Sequence, residues 1–315
     1  MNKRTLGRTG FEVSEIGLGG VFYASGGREE GVKIIRRALE LGVNFFDTAP
    51  SYSNGFSQEI LGEALDGVEQ EHFVSTKIGP TPLFDDERYD YDSVMQQFEF
   101  NLKALRRDRI DVLQMHDIDR FGRPRTEPGS YSAIFGKGMA LEALQKLKEQ
   151  GLIRAIGLAT LWTDFQAYVI NSGEIDAFLT FNRFGLIWRD AQFQTFPFAR
   201  FKNVGVIQGT PLHQGVLSVP KPEWIEEPPE WMSPLEHDRY RRLLSIQKEC
   251  GIPLAELALR FILSNRDVSV TIPGAANIEQ LEANVACSTK GPLPVDLQAE
   301  IEALGILHED PRRYV

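Results

Sequence analysis

Four residues in the first half of the chain have side chains suited to moving a proton: Asp47, Tyr52, Lys77 and His116. A phenol with a reference pKa of about 10 is a poor acid or base near neutrality. A lysine ammonium beside its oxygen favours the phenolate and pulls that value toward the operating pH. An aspartate paired with the lysine would hold the ammonium in place. A histidine beside the phenol can orient a carbonyl or alcohol, or share the proton. Together they make an acid–base centre for carbonyl/alcohol interconversion. Each has a plainer reading alone: Asp47 before Thr48-Ala49-Pro50 can cap a turn, Lys77 can be solvated, His116 can be structural and Tyr52 can be a packing aromatic. The conjunction favours chemistry, because Asp47, Lys77 and His116 each close a short apolar run and Tyr52 follows the first of them closely.

Those runs belong to a pattern that extends along the whole chain. Apolar or β-branched stretches at 16–20, 44–47, 73–77, 110–116, 155–158, 177–181, 204–208 and 268–272 read as eight strands. Helix-period segments lie between them, among them 31–41 ending at Gly42, 91–105, and 139–150 ending at Gly151. Such alternation indicates parallel βαβ units, which build either an open doubly wound sheet or a closed barrel. Eight units without a linker between halves favour an α/β fold of the (β/α)8 TIM-barrel type, one domain over residues 1–315. In a parallel barrel all strand ends face one mouth, so the four residues can converge although about seventy positions separate the first from the last. Gly7-Arg8-Thr9-Gly10, flanked by Arg4-Thr5-Leu6 and Val13-Ser14, predicts a hairpin that plugs the opposite end. Two long Pro- and Gly-rich segments, 117–138 after the fourth strand and 218–234 after the seventh, are candidate lids or substrate walls.

Composition narrows the partners. A net charge of −10 argues against nucleic acid or an anionic membrane and for a small-molecule substrate. Cys250 and Cys287 form no C-x-x-C pair or metal-like cluster, so no metal is expected. The start lacks the apolar run of a signal peptide, and no stretch approaches the ~20 apolar residues of a membrane span, which makes the cytoplasm the expected location. Gly17-Leu18-Gly19-Gly20 lacks the third glycine of G-x-G-x-x-G, and there is no Walker A loop, H-E-x-x-H helix or G-x-S-x-G elbow.

Several longer stretches carry a resemblance. Leu6-Gly7-Arg8-Thr9-Gly10 with Val13–Gly19, Asn44-Phe45-Phe46-Asp47-Thr48-Ala49 with Tyr52, Thr76-Lys77, Arg109-Ile110-Asp111 with His116, the segment 151–158, and Ile272-Pro273-Gly274-Ala275 with 280–284 all resemble the aldo-keto reductase superfamily. The resemblance implies a nicotinamide-dependent barrel with Asp47, Tyr52, Lys77 and His116 as catalytic tetrad, and hydride passing between the nicotinamide and a substrate carbon. It also implies cofactor contacts from Gly19, Gly20, Asp47, Thr160, Asn182, Gly209, Thr210, Pro211, Leu212, Gly215, Gly274, Ala275, Ala276, Gln280 and Asn284. Tyr52 and His116 are expected to touch the substrate, with Tyr23 and Trp188 in its wall. Phe22, Phe84 and Trp162 are further aromatic candidates that could stack on a sugar. The Tyr-Asp-Tyr-Asp run at 89–92 and the pattern over 177–188 look most like the bacterial aldose 1-dehydrogenase group, whose members act on L-fucose-like or D-threo aldoses and on pyridoxal.

The chain departs from the common family pattern at the cofactor. Ala159-Thr160 stands where many members have Ser-Asn, Asn182 where Gln is frequent, and Gly209 where an aromatic often stacks on the nicotinamide. A 2′-phosphate is usually met by Arg or Lys. The positions basic in many NADP-dependent members are here Gly274, Ala276 and Gln280, which favours NAD over NADP unless another loop supplies the charge. The expected reaction is oxidation of an aldose to its lactone. The alternatives are an NADPH-dependent aldehyde or ketone reductase and, from another class, a non-catalytic cofactor-binding barrel that regulates a partner.

Overall fold

A computed structural model describes residues 1–84, 89–121 and 134–306. Two antiparallel strands, β1 (Lys3–Thr5) and β2 (Glu12–Ser14), form the expected hairpin. The remaining strands are β3 (Leu18–Gly19), β4 (Phe45–Asp47), β5 (Phe73–Ile78), β6 (Ile110–His116), β7 (Ile153–Thr160), β8 (Ala177–Phe181), β9 (Gly205–Gly209) and β10 (Val270–Ile272). They pair in parallel and in sequence order to give an eight-stranded sheet. Parallel bridges Ile16↔Thr271 and Gly19↔Gly274 join its two edges, so the sheet closes into a (β/α)8 barrel. The strands at this seam are shorter than their apolar runs, and part of the closure is carried by single bonds such as Gly19 N–H to Pro273 O, 3.0 Å.

Strand parity divides the apolar residues into two populations. Phe46, Val74, Leu113, Met115, Leu158 and Val206 face outward into the shell shared with the helices. Phe45, Phe73, Val112, Ala155, Leu179, Ile207 and Val270 point inward and fill the lower barrel. Leu6, Phe11 and Val13 of the hairpin region join this inner cluster, and the Phe11 ring stacks on Phe73 with centroids 4.7 Å apart. The hairpin is therefore the floor. Two steps further along the same strands the inward positions turn polar: Asp47 above Phe45, Ser75 and Lys77 above Phe73, Gln114 and His116 above Val112.

The helices start and stop where the sequence signals them. Helix Tyr91–Leu105 begins at Asp90, whose side chain accepts from Ser93 N at 3.1 Å. Helix Pro234–Cys250 opens with a capping box made by Ser233 and Glu236 and ends at the left-handed Gly251. That box gives the 218–234 segment a fixed end, and within it Pro222–Ile225 forms a short helical turn. Most of the 117–138 segment lies outside the described residues. No helix among the described residues is long and apolar enough to cross a membrane.

Leu6 is fully buried against the lower ends of the strands. Leu6→Ala should therefore lower folding stability by about 2–5 kcal/mol, the usual cost of removing a buried leucine side chain. Denaturant unfolding would check this, and an unchanged midpoint would mean that the hairpin adds nothing to the barrel floor.

Candidate active site

The polar upper layer begins with Asp47 and Lys77, 2% and 1% exposed, on the adjacent strands β4 and β5. Lys77 Nζ donates to Asp47 Oδ1 at 2.5 Å and to Thr48 O at 2.8 Å. Charges this deeply buried persist only when their remaining hydrogen-bonding capacity is met. Gln114 meets it on the aspartate side: its amide donates to Asp47 Oδ2 at 2.9 Å and to Ser75 Oγ at 2.7 Å. Gln114 can lie across the barrel because its neighbour on β7 is Gly157; a Cβ there would stand 2.5 Å from Gln114 Cγ. No sequence motif marks Gln114, although its position two residues before His116 places it on the same inner face.

Tyr52 reaches the pair from the loop after β4. Lys77 Nζ lies 4.7 Å from the centroid of its ring, and His116 stands edge-on to it with centroids 6.3 Å apart at 84°. The structure thus gathers all four sequence-selected residues at one end of the barrel. Behind Tyr52 the chain passes through three consecutive left-handed residues, Ser53, Asn54 and Gly55, before helix Phe56–Leu65 begins. Two of these are not glycine, a conformation that costs about 1–2 kcal/mol per residue and that clusters at functional sites. The His116 carbonyl accepts from Tyr89 OH at 2.6 Å, and Asn101 Nδ2 donates to Lys77 O at 3.0 Å, so the backbone beneath both side chains is held from the helix side.

The electrostatics differ in one respect from the simple expectation. Burial pushes the Tyr52 phenol above its ordinary value; Lys77 lowers it as expected, but nearby Asp47 and Asp117 work against the lysine. The phenol therefore keeps its proton more tightly than in water. For Lys77, burial disfavours the ammonium, yet attraction to Asp47 and Tyr52 outweighs this and leaves it above the usual lysine value. The lysine remains charged.

The other predicted residues fall into separate groups. Thr160, at the end of β7, keeps a buried hydroxyl with no hydrogen-bond partner. Asn182 follows β8 in a left-handed conformation, φ 59°, and lines a cleft of about 570 Å3 together with Trp188. His213, Gln214, Lys221, Trp224 and Trp231 complete much of that cleft; the last three belong to the 218–234 segment expected to form a wall, whereas no motif marks His213 and Gln214 in the turn leading to it. Gly209 closes β9, and Thr210, Pro211, Leu212 and Gly215 form that turn, with Thr210, His213 and Gln214 at positive φ. Gly19 bridges Gly274 in the barrel seam, with Ala275 and Ala276 following in the chain, and Gly20 lies against Asp47 O and Ser57. Gln280 and Asn284 shape this last segment: Gln280 Oε1 accepts from Ala276 N at 2.9 Å and Asn284 Nδ2 donates to Gly274 O at 3.2 Å. Tyr23 is elsewhere. It is 1% exposed in the outer shell, with its hydroxyl hydrogen-bonded to Ser57, so it presents no surface to a substrate. Trp162 is also buried, whereas Phe22 is half exposed.

One further acid lies close by. Asp119 is 4% exposed and accepts from Leu161 N at 2.9 Å and Trp162 N at 2.8 Å through Oδ2, while its Oδ1 has no partner. Burial pushes its carboxyl up to about 7. A carboxyl whose value is raised on folding contributes stability that is complete below its ordinary pKa of 3.8 and is lost as pH rises through about 7. Asp119→Asn lacks this dependence, so its melting temperature should gain on the wild type by several degrees between pH 5 and pH 8. A difference that stays constant over that range would show that the Asp119 proton is not linked to folding.

Comparison with known proteins agrees with this geometry. A profile of the Aldo/keto reductase family matches residues 15–306. The L-galactose dehydrogenase of Arabidopsis thaliana is 31% identical over 320 residues, covering 97% of this chain and 91% of that protein. The pyridoxal 4-dehydrogenase of Microbacterium luteolum is 27% identical, covering 90% and 92%. The holo form of an aldo-keto reductase from Bacillus halodurans superposes with a TM-score of 0.81 at 25% identity over 100% of both chains. The relatives mix aldose and pyridoxal dehydrogenases rather than forming one subgroup. With a profile match over nearly its whole length and the closed barrel that carries the four gathered residues, the chain belongs to the aldo/keto reductase family.

Proposed function

We propose that the protein is a dehydrogenase that oxidises an aldose of the L-fucose or D-threo type to its lactone with NAD. The observation that carries the carbonyl/alcohol chemistry is the buried Lys77–Asp47 pair beneath the Tyr52 ring with His116 edge-on to it, an arrangement that serves either direction. The kinship with L-galactose dehydrogenase supports a sugar as substrate.

In the oxidising direction the anomeric hydroxyl gives its proton to the Tyr52 oxygen while the C–H of the same carbon leaves as hydride, and the lactone carbonyl forms. A bound nicotinamide supplies the hydride acceptor. The unpartnered Thr160 hydroxyl and the Asn182 amide are suited to hold its carboxamide. Asp47 holds Lys77, Lys77 stabilises the phenolate, and His116 orients the reacting oxygen.

For NAD speaks the 274–284 segment, which has no cationic residue and whose Gln280 oxygen is spent on its own backbone. The Phe22 ring lies where a side chain at 274 would stand, 2.5 Å from a Cβ built there, so a basic residue at 274 would have to displace it. A second reading, an NADPH-linked aldehyde or ketone reductase, has one observation in its favour: a phenol held above its ordinary value is ready to donate a proton to a carbonyl.

Following nicotinamide absorbance with aldoses, pyridoxal and simple aldehydes in both directions separates the two. NAD-linked oxidation of an aldose is expected; reduction of aldehydes with NADPH alone would replace the first reading by the second. Tyr52→Phe should lower turnover by roughly 10²-fold or more with cofactor binding nearly intact, the usual range for losing a general acid–base group. Wild-type turnover in that variant would remove Tyr52 from the mechanism. Oxidation needs the phenolate, so its rate should climb with pH on the alkaline side. Lys77→Met, which removes the charge that lowers the phenol, should carry that rise to still higher pH, and an unmoved profile would exclude the lysine as its cause.

A further inference from the structure

Arg183 is among the largest fully buried side chains of the molecule. It follows Asn182 directly and belongs to neither the tetrad nor the lining of the cleft. Its guanidinium carbon stands 5.3 Å from the ring centroid of Trp162 and 5.4 Å from that of Trp188, so the cation is held between two indoles. Nε donates to Leu161 O at 2.9 Å and Nη1 to Asp190 Oδ2 at 3.3 Å. The loop after β7 is thereby tied to the loop after β8. Leu161 and Trp162 are fixed from the other side as well, since their amides donate to Asp119. At the far end of the sandwich Trp188 meets His213 edge-on, centroids 4.5 Å apart, and both line the cleft.

A buried arginine is an expensive way to fill space, and well-packed apolar residues often replace buried ion pairs at no loss. No apolar side chain could reproduce what this one does. A flat cation with directed donors can lie between two rings and still satisfy a carbonyl and a carboxylate in fixed directions, which an ammonium or an aliphatic chain cannot. We infer that Arg183 is a positioning residue for ligand binding: through its indole sandwich it sets Trp188 and the left-handed Asn182 at the cleft wall, and so governs affinity rather than the proton transfer at Tyr52. The inference rests on the dehydrogenase reading only in taking the cleft as part of the nicotinamide and substrate site.

The test compares Arg183→Lys, which keeps the charge but loses the flat fork, with Trp162→Leu, which removes the indole that lies outside the cleft. NADH dissociation constants are read from quenching of tryptophan fluorescence, melting temperature is followed in parallel, and KM and kcat are taken with whichever substrate the wild type turns over. Both variants are expected to fold, to bind NADH about tenfold more weakly, which is about 1.4 kcal/mol of binding free energy, and to raise KM to a similar degree, with kcat changed less than about twofold. Unchanged NADH affinity in both variants would overturn the inference, whether their melting temperatures stay the same or fall, the latter marking a merely structural role. A fall in kcat with affinity intact would equally overturn it. Absence of aldose turnover in the wild type would fail the dehydrogenase reading alone, because the NADH comparison needs no turnover.

Discussion

The ion pair between Lys77 and Asp47 sets the terms for the upper half of the barrel. Two charges withdrawn from water to this degree are tolerated only with close contact and full hydrogen bonding, and such pairs contribute little net stability. Their presence makes sense as a fixed charge under a phenol. Thr48 O holds the lysine and Gln114 the aspartate, Ser75 Oγ anchors the Gln114 amide, and Gly157 keeps open the space through which Gln114 reaches the pair. Each of these requirements falls on a different strand. The geometry of the pair therefore depends on the register of β4, β5, β6 and β7 together.

The same strands serve two ends of the molecule. At their lower ends the inward residues are large and apolar and pack against the hairpin, which gives a dry, rigid base. Above it the inward positions carry charge and amide groups. A side chain anchored in such a base keeps its place with little loss of freedom, which is what proton transfer demands. The local strain at Ser53 and Asn54, which aims Tyr52, is sustained by this scaffold.

The opposite side of the mouth is built differently. Loops after β8 and β9, not strand interiors, form the cleft that runs from Asn182 to Trp231, and the loop after β7 packs behind them. They are held by side chains crossing between them: Asp119 to the loop after β7, Arg183 from the loop after β8 to the loop after β7, and Arg239 to the Leu186 carbonyl at 3.1 Å. Asp47, Lys77, Gln114 and His116 thus sit on strands, where position is fixed by the backbone ladder, and Tyr52 joins them from the loop after β4. Recognition sits on loops whose order depends on buried polar contacts.

The sequence by itself determined the elements and the chemical set. Helix caps, strand parity and glycine turns are local properties, so the alternation of strands and helices, the hairpin, and the strand-end positions of Asp47, Lys77 and His116 could be read from neighbouring residues alone. What the sequence could not decide were contacts between residues far apart in the chain. Tyr23 looked like a substrate aromatic because aromatics are common in sugar sites, yet packing against Ser57 buries it. Gln114 looked like an ordinary strand residue until β4 brought Asp47 beside it. The sign of the Tyr52 shift also came only from the fold, since it is a contest between burial and Lys77, and burial is a property of everything packed around the ring. Arg183 between two tryptophans is a further case: its partners at 162 and 188 meet only where two loops fold over the barrel end.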